Sequence, residues 1–532
     1  MLFRSTKSCD CHPEFRKDIR CYINNNNVGF SWNSNAWIGV DTKANNITNV
    51  LYSKNCPFDY CGDNEKKIDY IKRNDPDNQC AFNRAGTLCG GCRENFSLAI
   101  GSSRCIPCSN NNNLALLIFF AAAGFLLVLF ISIMNLTVSQ GMINGLVFYA
   151  NIVWAYQSIV LTQEYNTDTI SSGYWFLRIF LAWINLDFGI ETCFFRGLNG
   201  YWKTWLQFIF PFYTAGLFFL GLRFSSKLSK LFGDRSVPTL ATLLFMSNTK
   251  LLRTIIAALG LAQVKIFSSD STVTTSSVWS IDGRYTYGMH PHIYLVLVAV
   301  ACLLFLWLPY TLLLLLMQWL RKMPYSKPSQ LITRYKPVFD TYYAPLKDKH
   351  HYWFGVLLLV QGILLFISSL TSNVYPNINL FLLLSFATLL LFYMSFMQVY
   401  RRTIVLIAES SFLLNLILLV GGFILFDHVR ARMAVLYVSI SIAFLEFCVI
   451  VVWSVVKTYF LDLRRRRNKD RPLLSLPYMS HTAVEEERAT QRDSDQPTPV
   501  PSIYVNFRDS ILEDSLTIST EKESSHHTRS SY

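Results

Sequence analysis

Two sets of residues in this 532-residue chain could do chemistry, and the first is cysteine. Ten of the thirteen precede residue 109: Cys9, Cys11, Cys21, Cys56, Cys61, Cys80, Cys89, Cys92, Cys105 and Cys108. A dense, even set in a short polar segment reads as a disulfide framework in an oxidising compartment. The rival is metal, because Cys89, Cys92, Cys105 and Cys108 form C-x2-C-x12-C-x2-C, a spacing in which two knuckles can converge tetrahedrally on zinc. The sequons at Asn46-Ile47-Thr48 and Asn95-Phe96-Ser97 share the segment and accept glycan only in the secretory lumen. With the topology argued below, they favour disulfides over a metal.

The second set is charge inside apolar runs, where an ionisable group costs at least about 2.5 to 3.5 kcal/mol on insertion scales. Lys250 and Arg253 lie three apart, on one face of a helix, while Glu409 and Glu446 sit inside two later runs. The expectation is that the two cations face the two carboxylates across a bundle interior, as a structural lock or as part of an ion or solute pathway. Asn144, Asn151 and Gln157, seven and six apart, approximate one helix face that lines a cavity or bonds to a neighbouring helix. Pro211 and Pro309 fall inside runs and can kink them. His290, His292, His350 and His351 sit at run boundaries and read as interfacial anchors. The chain lacks a P-loop, a HExxH pair, a GxSxG elbow and a dinucleotide fingerprint, so neither an enzyme nor a cofactor is expected.

The elements that must position these groups are membrane spans. Hydrophobic residues make up 52% of the chain and charged ones only 16%, with a mean hydropathy of +0.28, which argues against a soluble enzyme. The net charge of +13 clusters at the ends of apolar runs and in the tail, so it reads as membrane topology rather than nucleic-acid binding. Nine runs are long enough to cross a core of about 30 Å. They are Leu114–Met134, Met142–Thr162, Tyr201–Leu222, Pro238–Gln263, His292–Leu320, Tyr352–Leu370, Asn377–Tyr400, Thr403–Phe426 and Met433–Val456. A tenth stretch, 174–190, carries Arg178 and Asp187 beside Tyr174, Trp175 and Trp183, and reads as interfacial or re-entrant.

With nine spans and the amino terminus outside, the basic loops fall inside: Arg223 to Arg235, Arg321 to Lys349, then Arg401 and Arg402. Only Arg430 and Arg432 run against the rule. The expected organisation is an all-α polytopic bundle: a disulfide-rich extracellular module over 1–113, a nine-span domain over 114–460 and a disordered cytoplasmic tail over 461–532. Met1 to Asp10 is charged and has no apolar core, so no signal peptide is read there, and the expectation is a chain whose natural start lies further upstream.

Arg464 to Arg467 would meet anionic inner-leaflet lipid at about 1 kcal/mol per basic residue, or serve simply as a stop-transfer flank. In the tail, Tyr504-Val505-Asn506 would suit an SH2 domain if phosphorylated, and Ser530-Ser531-Tyr532 loosely fits a PDZ domain; both are weak motifs. A homo-oligomer is compatible with this organisation, and no nucleic-acid partner is expected.

Three stretches carry a resemblance: NLDFGIETCFFRGLNGYWKTWLQFIFPFY (185–213), ATLLFMSNTKLLRTIIAAL (241–259) and KPVFDTYYAPLKDKHHYWFGVLLLVQGILLF (336–366). Preceded by AGTLCGGCRENFSLAIGSSRCIPC, they resemble a set of uncharacterised multi-pass proteins of sponges and other invertebrates, up to about residue 460. The Asp187 and Cys193 segment and the aromatic start of the sixth span are more distantly similar to the transient-receptor-potential-like domain of fungi and protists. That resemblance implies a cation channel or transporter bundle and transfers no pore residue. Asn95 stands where the invertebrate pattern has Gly, which puts a tight turn there in question. The alternatives are a cell-surface receptor or adhesion protein with a ligand-binding Cys-rich module, and a small-solute transporter.

Overall fold

The computed structural model describes residues 3–469 apart from 6–7, 11–18, 25–26, 33–35, 44–45, 55, 58–59, 62–75, 82, 109–112, 162–171, 188–191, 225–234, 269–272, 321–335, 372–375 and 427–428. The chain divides into two units, Met1–Leu461 and Asp462–Tyr532, the second described only over 462–469. The expected disordered tail, with Tyr504 to Asn506 and Ser530 to Tyr532, lies outside the described residues.

The amino-terminal module is built from short strands. Hairpins pair β1 (Phe3–Ser5) with β2 (Ser8–Asp10) and β3 (Ile19–Asn24) with β4 (Asn27–Trp32). Next come β5 (Trp37–Lys43) and β6 (Asn46–Ser53), then β7 (Arg84–Ala85) with β8 (Gly91–Cys92), and β9 (Phe96–Leu98) with β10 (Cys105–Pro107).

Among the described residues twelve α-helices follow: α1 (Asn113–Ile133), α2 (Asn144–Leu161), α3 (Ser172–Ile184), α4 (Gly200–Phe224), α5 (Ser236–Leu259), α6 (His292–Cys302), α7 (Leu308–Leu320), α8 (Lys336–Tyr343), α9 (Trp353–Thr371), α10 (Pro376–Met397), α11 (Thr403–Leu425) and α12 (Val429–Lys469). Seven segments among the described residues are long and apolar enough to cross a membrane, lying in α1, α4, α6 with α7, α9, α10, α11 and α12. Their outer faces carry large apolar side chains in the open, among them Phe305, Phe396, Leu425 and Val449. So much exposed hydrocarbon on one belt suits lipid rather than water, and the chain is a multi-pass membrane protein.

α2 and α5 form the interior. The described side chains of α2 are almost all buried, and α5 packs against α1, α4, α6, α8 and α9 while carrying Thr239, Thr242, Asn248, Thr249, Lys250 and Thr254 inward. A helix this polar is stable in the middle of a bundle because its neighbours supply partners. Pro309 cannot donate to Phe305, and the helix absorbs the misfit as a π turn over Leu303–Trp307 that joins α6 to α7.

One expected span is shorter than the sequence suggested. Pro238–Gln263 stops being helical at Leu259, because Gly260 turns extended (ψ 125°) and residues 261–268 alternate as a strand with Val264 buried. This strand, β11 (Leu261–Ser268), pairs with β12 (Val273–Trp279) and with β6, so two strands from between α5 and α6 complete a four-stranded antiparallel sheet of order β12-β11-β6-β5. The last helix also runs past the expected Val456 to Lys469 and includes the backbone of Arg464 to Arg467, whose side chains lie outside the described residues.

The helices meet at two ends. At one end the module, residues 192–204 and residues 260–292 bond to one another. At the other, Val138 N donates to Thr242 Oγ1 (2.9 Å), Tyr342 OH to Ala241 O (2.8 Å) and Lys347 N to Val399 O (2.9 Å). Gly141 (φ 81°) turns the chain at that second end, where a Cβ would overlap Val405 and Pro345.

Candidate functional site

The buried charges of the bundle meet where α3 ends. Asn185 Nδ2 donates to the carbonyls of Leu181 (2.8 Å) and Ala150 (3.0 Å), Leu186 takes a φ of 53°, and Asp187 N donates to Ala182 O (2.7 Å). This turn reaches Ala150 in the middle of α2 and aims the Asp187 carboxylate at α5. There Lys250 Nζ donates to Asp187 Oδ1, while Arg253 Nη2 donates to Asp187 Oδ2 (3.4 Å) and to Asn185 O (2.9 Å). The three side chains are 4%, 12% and 18% exposed for Lys250, Arg253 and Asp187, so one buried carboxylate serves two cations.

Amides extend the polar layer. Asn151 Nδ2 donates to Val147 O (2.8 Å) and to Thr249 Oγ1 of α5 (3.2 Å), an interhelical bond of the kind its spacing suggested. Asn151 Oδ1, Asn185 Oδ1 and Arg253 Nε are buried without a hydrogen-bond partner among the described residues. Three such atoms in one layer are costly in hydrocarbon and tolerable only where the layer can be hydrated or occupied. Asn144 lies apart, bonding Gly141 O (3.0 Å), and the side chain of Gln157 is outside the described residues.

Glu409 and Glu446 are not part of this group, contrary to the expected pairing with Lys250 and Arg253. Glu409 Oε1 accepts from Gly145 N (2.7 Å) in the first turn of α2, and its carboxylate also takes the Tyr400 hydroxyl and the Asn144 N–H. The helix dipole and its free N–H groups offset this charge in place of a cation. Glu446, half-buried on α12, bonds Ser411 and leaves Oε2 without a partner among the described residues. The physical reason for the difference is Asp187, which the turn after α3 brings closer to α5 than either glutamate.

The module forms a cap stitched to the bundle. Among the described residues its disulfides are Cys56–Cys61, Cys80–Cys89, Cys92–Cys105 and Cys108–Cys193. Cys89, Cys92, Cys105 and Cys108 therefore share no single centre, and Cys108 takes a partner outside the ten. Cys193 was absent from the sequence framework, although its place in an expected outer loop was a usable signal. Cys302 and Cys448 are free, Cys11 lies outside the described residues, and so do the side chains of Cys9 and Cys21.

Further seams join the parts. Leu98 N donates to Leu198 O (2.9 Å), Ile100 N to Thr192 O (3.1 Å), and Lys203 Nζ to Ala99 O (3.0 Å) and Ser102 O (2.6 Å). Asp282, fully buried, is held by Arg284 Nε (2.8 Å) and Nη2 (2.7 Å) in a turn on which Gly90 rests so closely that a Cβ would overlap the Gly283 backbone. Arg84, also fully buried, donates to Cys89 O (2.6 Å), Gly90 O (3.0 Å) and Ser103 O and lies 3.4 Å from the centre of the Tyr60 ring. Burial holds the Arg84 guanidinium below its usual pKa and the Tyr60 phenol above its own.

Asn95 is exposed with a φ of 66°, so the tight turn survives with Asn in place of Gly, and Arg196 Nη2 donates to its Oδ1 (3.2 Å). The Asn46 side chain lies outside the described residues. His292 is fully buried rather than interfacial: Gly288 N donates to its Nδ1 (3.2 Å), and its Nε2 lies 3.1 Å from Ala258 O. His351, also buried, stacks on Tyr343.

No family model, curated protein or solved structure matches the chain.

Proposed function

We propose that the protein is a nine-span plasma-membrane cation channel of the transient-receptor-potential-like kind, with its module and amino terminus outside and its tail inside. The observation that carries this reading is the turn at Asn185–Asp187, irregular backbone held at mid-bundle by Lys250 and Arg253 and tethered through Cys193 to the cap. Irregular backbone at bilayer depth persists only where protein buries it or water lines it, and charge there marks pathways for ions. The three orphaned polar atoms beside it and the distant resemblance of the Asp187 and Cys193 segment support the same reading.

In this reading α2 and α5 cross the membrane with the seven apolar segments, and α3 enters and leaves on the outer side. Movement of the cap pulls on the re-entrant turn, which makes the cap the gate's handle. The half-buried carboxylate of Glu446 lines or borders the conduction path.

The test is whole-cell current in cells whose surface display is established by external glycan and cysteine labelling. Current that Glu446→Lys abolishes while surface display persists supports conduction. Silence across voltage, temperature, stretch and divalent conditions would sink it.

A receptor reading has one observation of its own, the shared sheet in which β6 of the module pairs with β11 of the bundle. A ligand held by such a cap can signal through the helices without conduction, and capture of cytoplasmic partners on the tail would then follow ligand addition.

A further inference from the structure

We propose that Cys56, Cys61, Cys80 and Cys89, once reduced, form a tetrathiolate site for one zinc ion in the core of the cap. In the oxidised protein these residues make two neighbouring disulfides, and the Sγ atoms of Cys61 and Cys89, which are not bonded to each other, lie 3.7 Å apart. The sulfurs of Cys56, Cys61 and Cys89 all fall within 4.8 Å of one another, and Cys80 is joined to Cys89. A tetrahedral site with Zn–S bonds of about 2.3 Å has sulfur-to-sulfur edges of about 3.8 Å. Three of the four sulfurs already lie within reach of one ion, and Cys80 Sγ must swing in from its bond to Cys89.

Hydrogen bonds tie Cys61, Cys80 and Cys89 together independently of the disulfides. Cys61 and Cys80 form an antiparallel bridge, Ala81 N donates to Tyr60 O (2.8 Å), and Arg84 clamps the Cys89 and Gly90 carbonyls. Cys56, Cys61 and Cys89 are buried, among Trp37, Leu88, Val264 and Val278, a shell that excludes water and favours a closed structural site.

Charge points the same way. Four thiolates around zinc carry two net negative charges, and Arg84 is a fully buried cation that makes no salt bridge among the described residues. Asp282, whose field reaches Arg84, is already held in two-point contact by Arg284. An anionic metal centre beside Cys89 would supply the counter-charge that Arg84 lacks.

Each disulfide takes two electrons and two protons from a dithiol reductant, which leaves as its own disulfide. The four thiols then release four protons as they bind the metal. The cap would exchange two covalent links for one metal link and stay folded on both sides of the redox change. This set differs from the Cys89, Cys92, Cys105 and Cys108 spacing visible in the sequence, and it stands independently of the channel reading.

The experiment uses the full chain in detergent, reduced with a phosphine so that no added thiol competes, and titrated with Co2+. The expected result is the visible absorption of tetrahedral cobalt thiolate at one equivalent, displaced by Zn2+, lost in Cys56→Ser/Cys61→Ser and kept in Cys92→Ser/Cys105→Ser. Because either variant could misfold, alkylation of the reduced wild-type chain is mapped by mass spectrometry with and without Zn2+. Zinc should protect Cys56, Cys61, Cys80 and Cys89 and leave Cys92, Cys105, Cys108 and Cys193 to react. No uptake, uptake indifferent to Cys56 and Cys61, or protection that follows Cys92, Cys105 and Cys108 overturns the proposal.

Discussion

Asp187 neutralises two cations at once, so its replacement has a larger effect than loss of either partner. Asp187→Asn leaves Lys250 and Arg253 facing each other in a buried layer, and removal of one member of such a group costs about 3 to 5 kcal/mol. The expected outcome is loss of surface display and a lower melting temperature in detergent, with partial recovery in Asp187→Asn/Lys250→Met, where one cation is gone as well. Recovery no better than the single variant would show that the carboxylate acts alone. Glu409→Ala should cost less, roughly 1 to 3 kcal/mol, because it leaves the Gly145 N–H and the Tyr400 hydroxyl without an acceptor but strands no cation. The same detergent melt checks it. The sequence displayed all of these residues but not their pairing. Lys250, Arg253 and Glu409 stood out because each interrupts an apolar run, and the structure buries Lys250 and Glu409 and leaves Arg253 12% exposed. Asp187 was read as a reason to reject a span and as part of a family resemblance, not as an ion-pair partner, although a carboxylate that spoils one helix is a natural counter-ion for the cations that spoil another. The partner was hidden because pairing depends on how far the turn after α3 descends, which no local spacing encodes.

At the scale of elements, apolar length located the helices well and overran only where another force took over. Gly260 and the alternation of Val264 between Gln263 and Lys265 mark the change from α5 to β11, yet 238–263 read as one run because Leu261 and Ala262 are as apolar as a span requires. The pairing of β11 with β6 joins residues more than two hundred positions apart and is not visible in either strand alone. Cys193 teaches the same point about covalent links. Its bond to Cys108 closes 85 residues, for which chain entropy gives a stabilisation of up to about 4 to 5 kcal/mol. Cys193→Ser should therefore lower the detergent melting temperature and raise protease access to 188–196, while Cys92→Ser, which opens a loop of 13 residues, should do less to that segment. Equal cleavage in both variants would mean that the Leu98, Ile100 and Lys203 bonds alone hold the turn in place.

For the whole molecule the links between segments constrain topology more sharply than hydropathy does. Cys108 and Cys193 can bond only from one side of a bilayer, so the number of crossings between them must be even. In the proposed nine-span reading α1 and α2 supply two, and a crossing by α3, whose 13 residues span about 20 Å as a helix, would make three. The β6 and β11 pairing sets the same condition from residue 53 to residue 261, which the proposed reading meets with four crossings, by α1, α2, α4 and α5. At the other end, the bond from Val138 to Thr242 and the bridge between Leu346 and Tyr400 each require an even number, met in the same reading by α2 with α4 and by α9 with α10. The positive-inside count, drawn from wholly different residues, gives the same parity for the proposed nine spans. Single cysteines at Glu94, Thr275, Asp348 and Arg401, each in the otherwise native chain, test this with a membrane-impermeant maleimide on intact cells. Glu94→Cys and Thr275→Cys should label from outside, and Asp348→Cys and Arg401→Cys only after permeabilisation. Labelling of all four from outside would break the proposed nine-span topology. A clean reversal would keep the parity and turn the protein over, leaving the disulfide cap on the reducing side, where the four-cysteine cluster would meet zinc rather than oxygen.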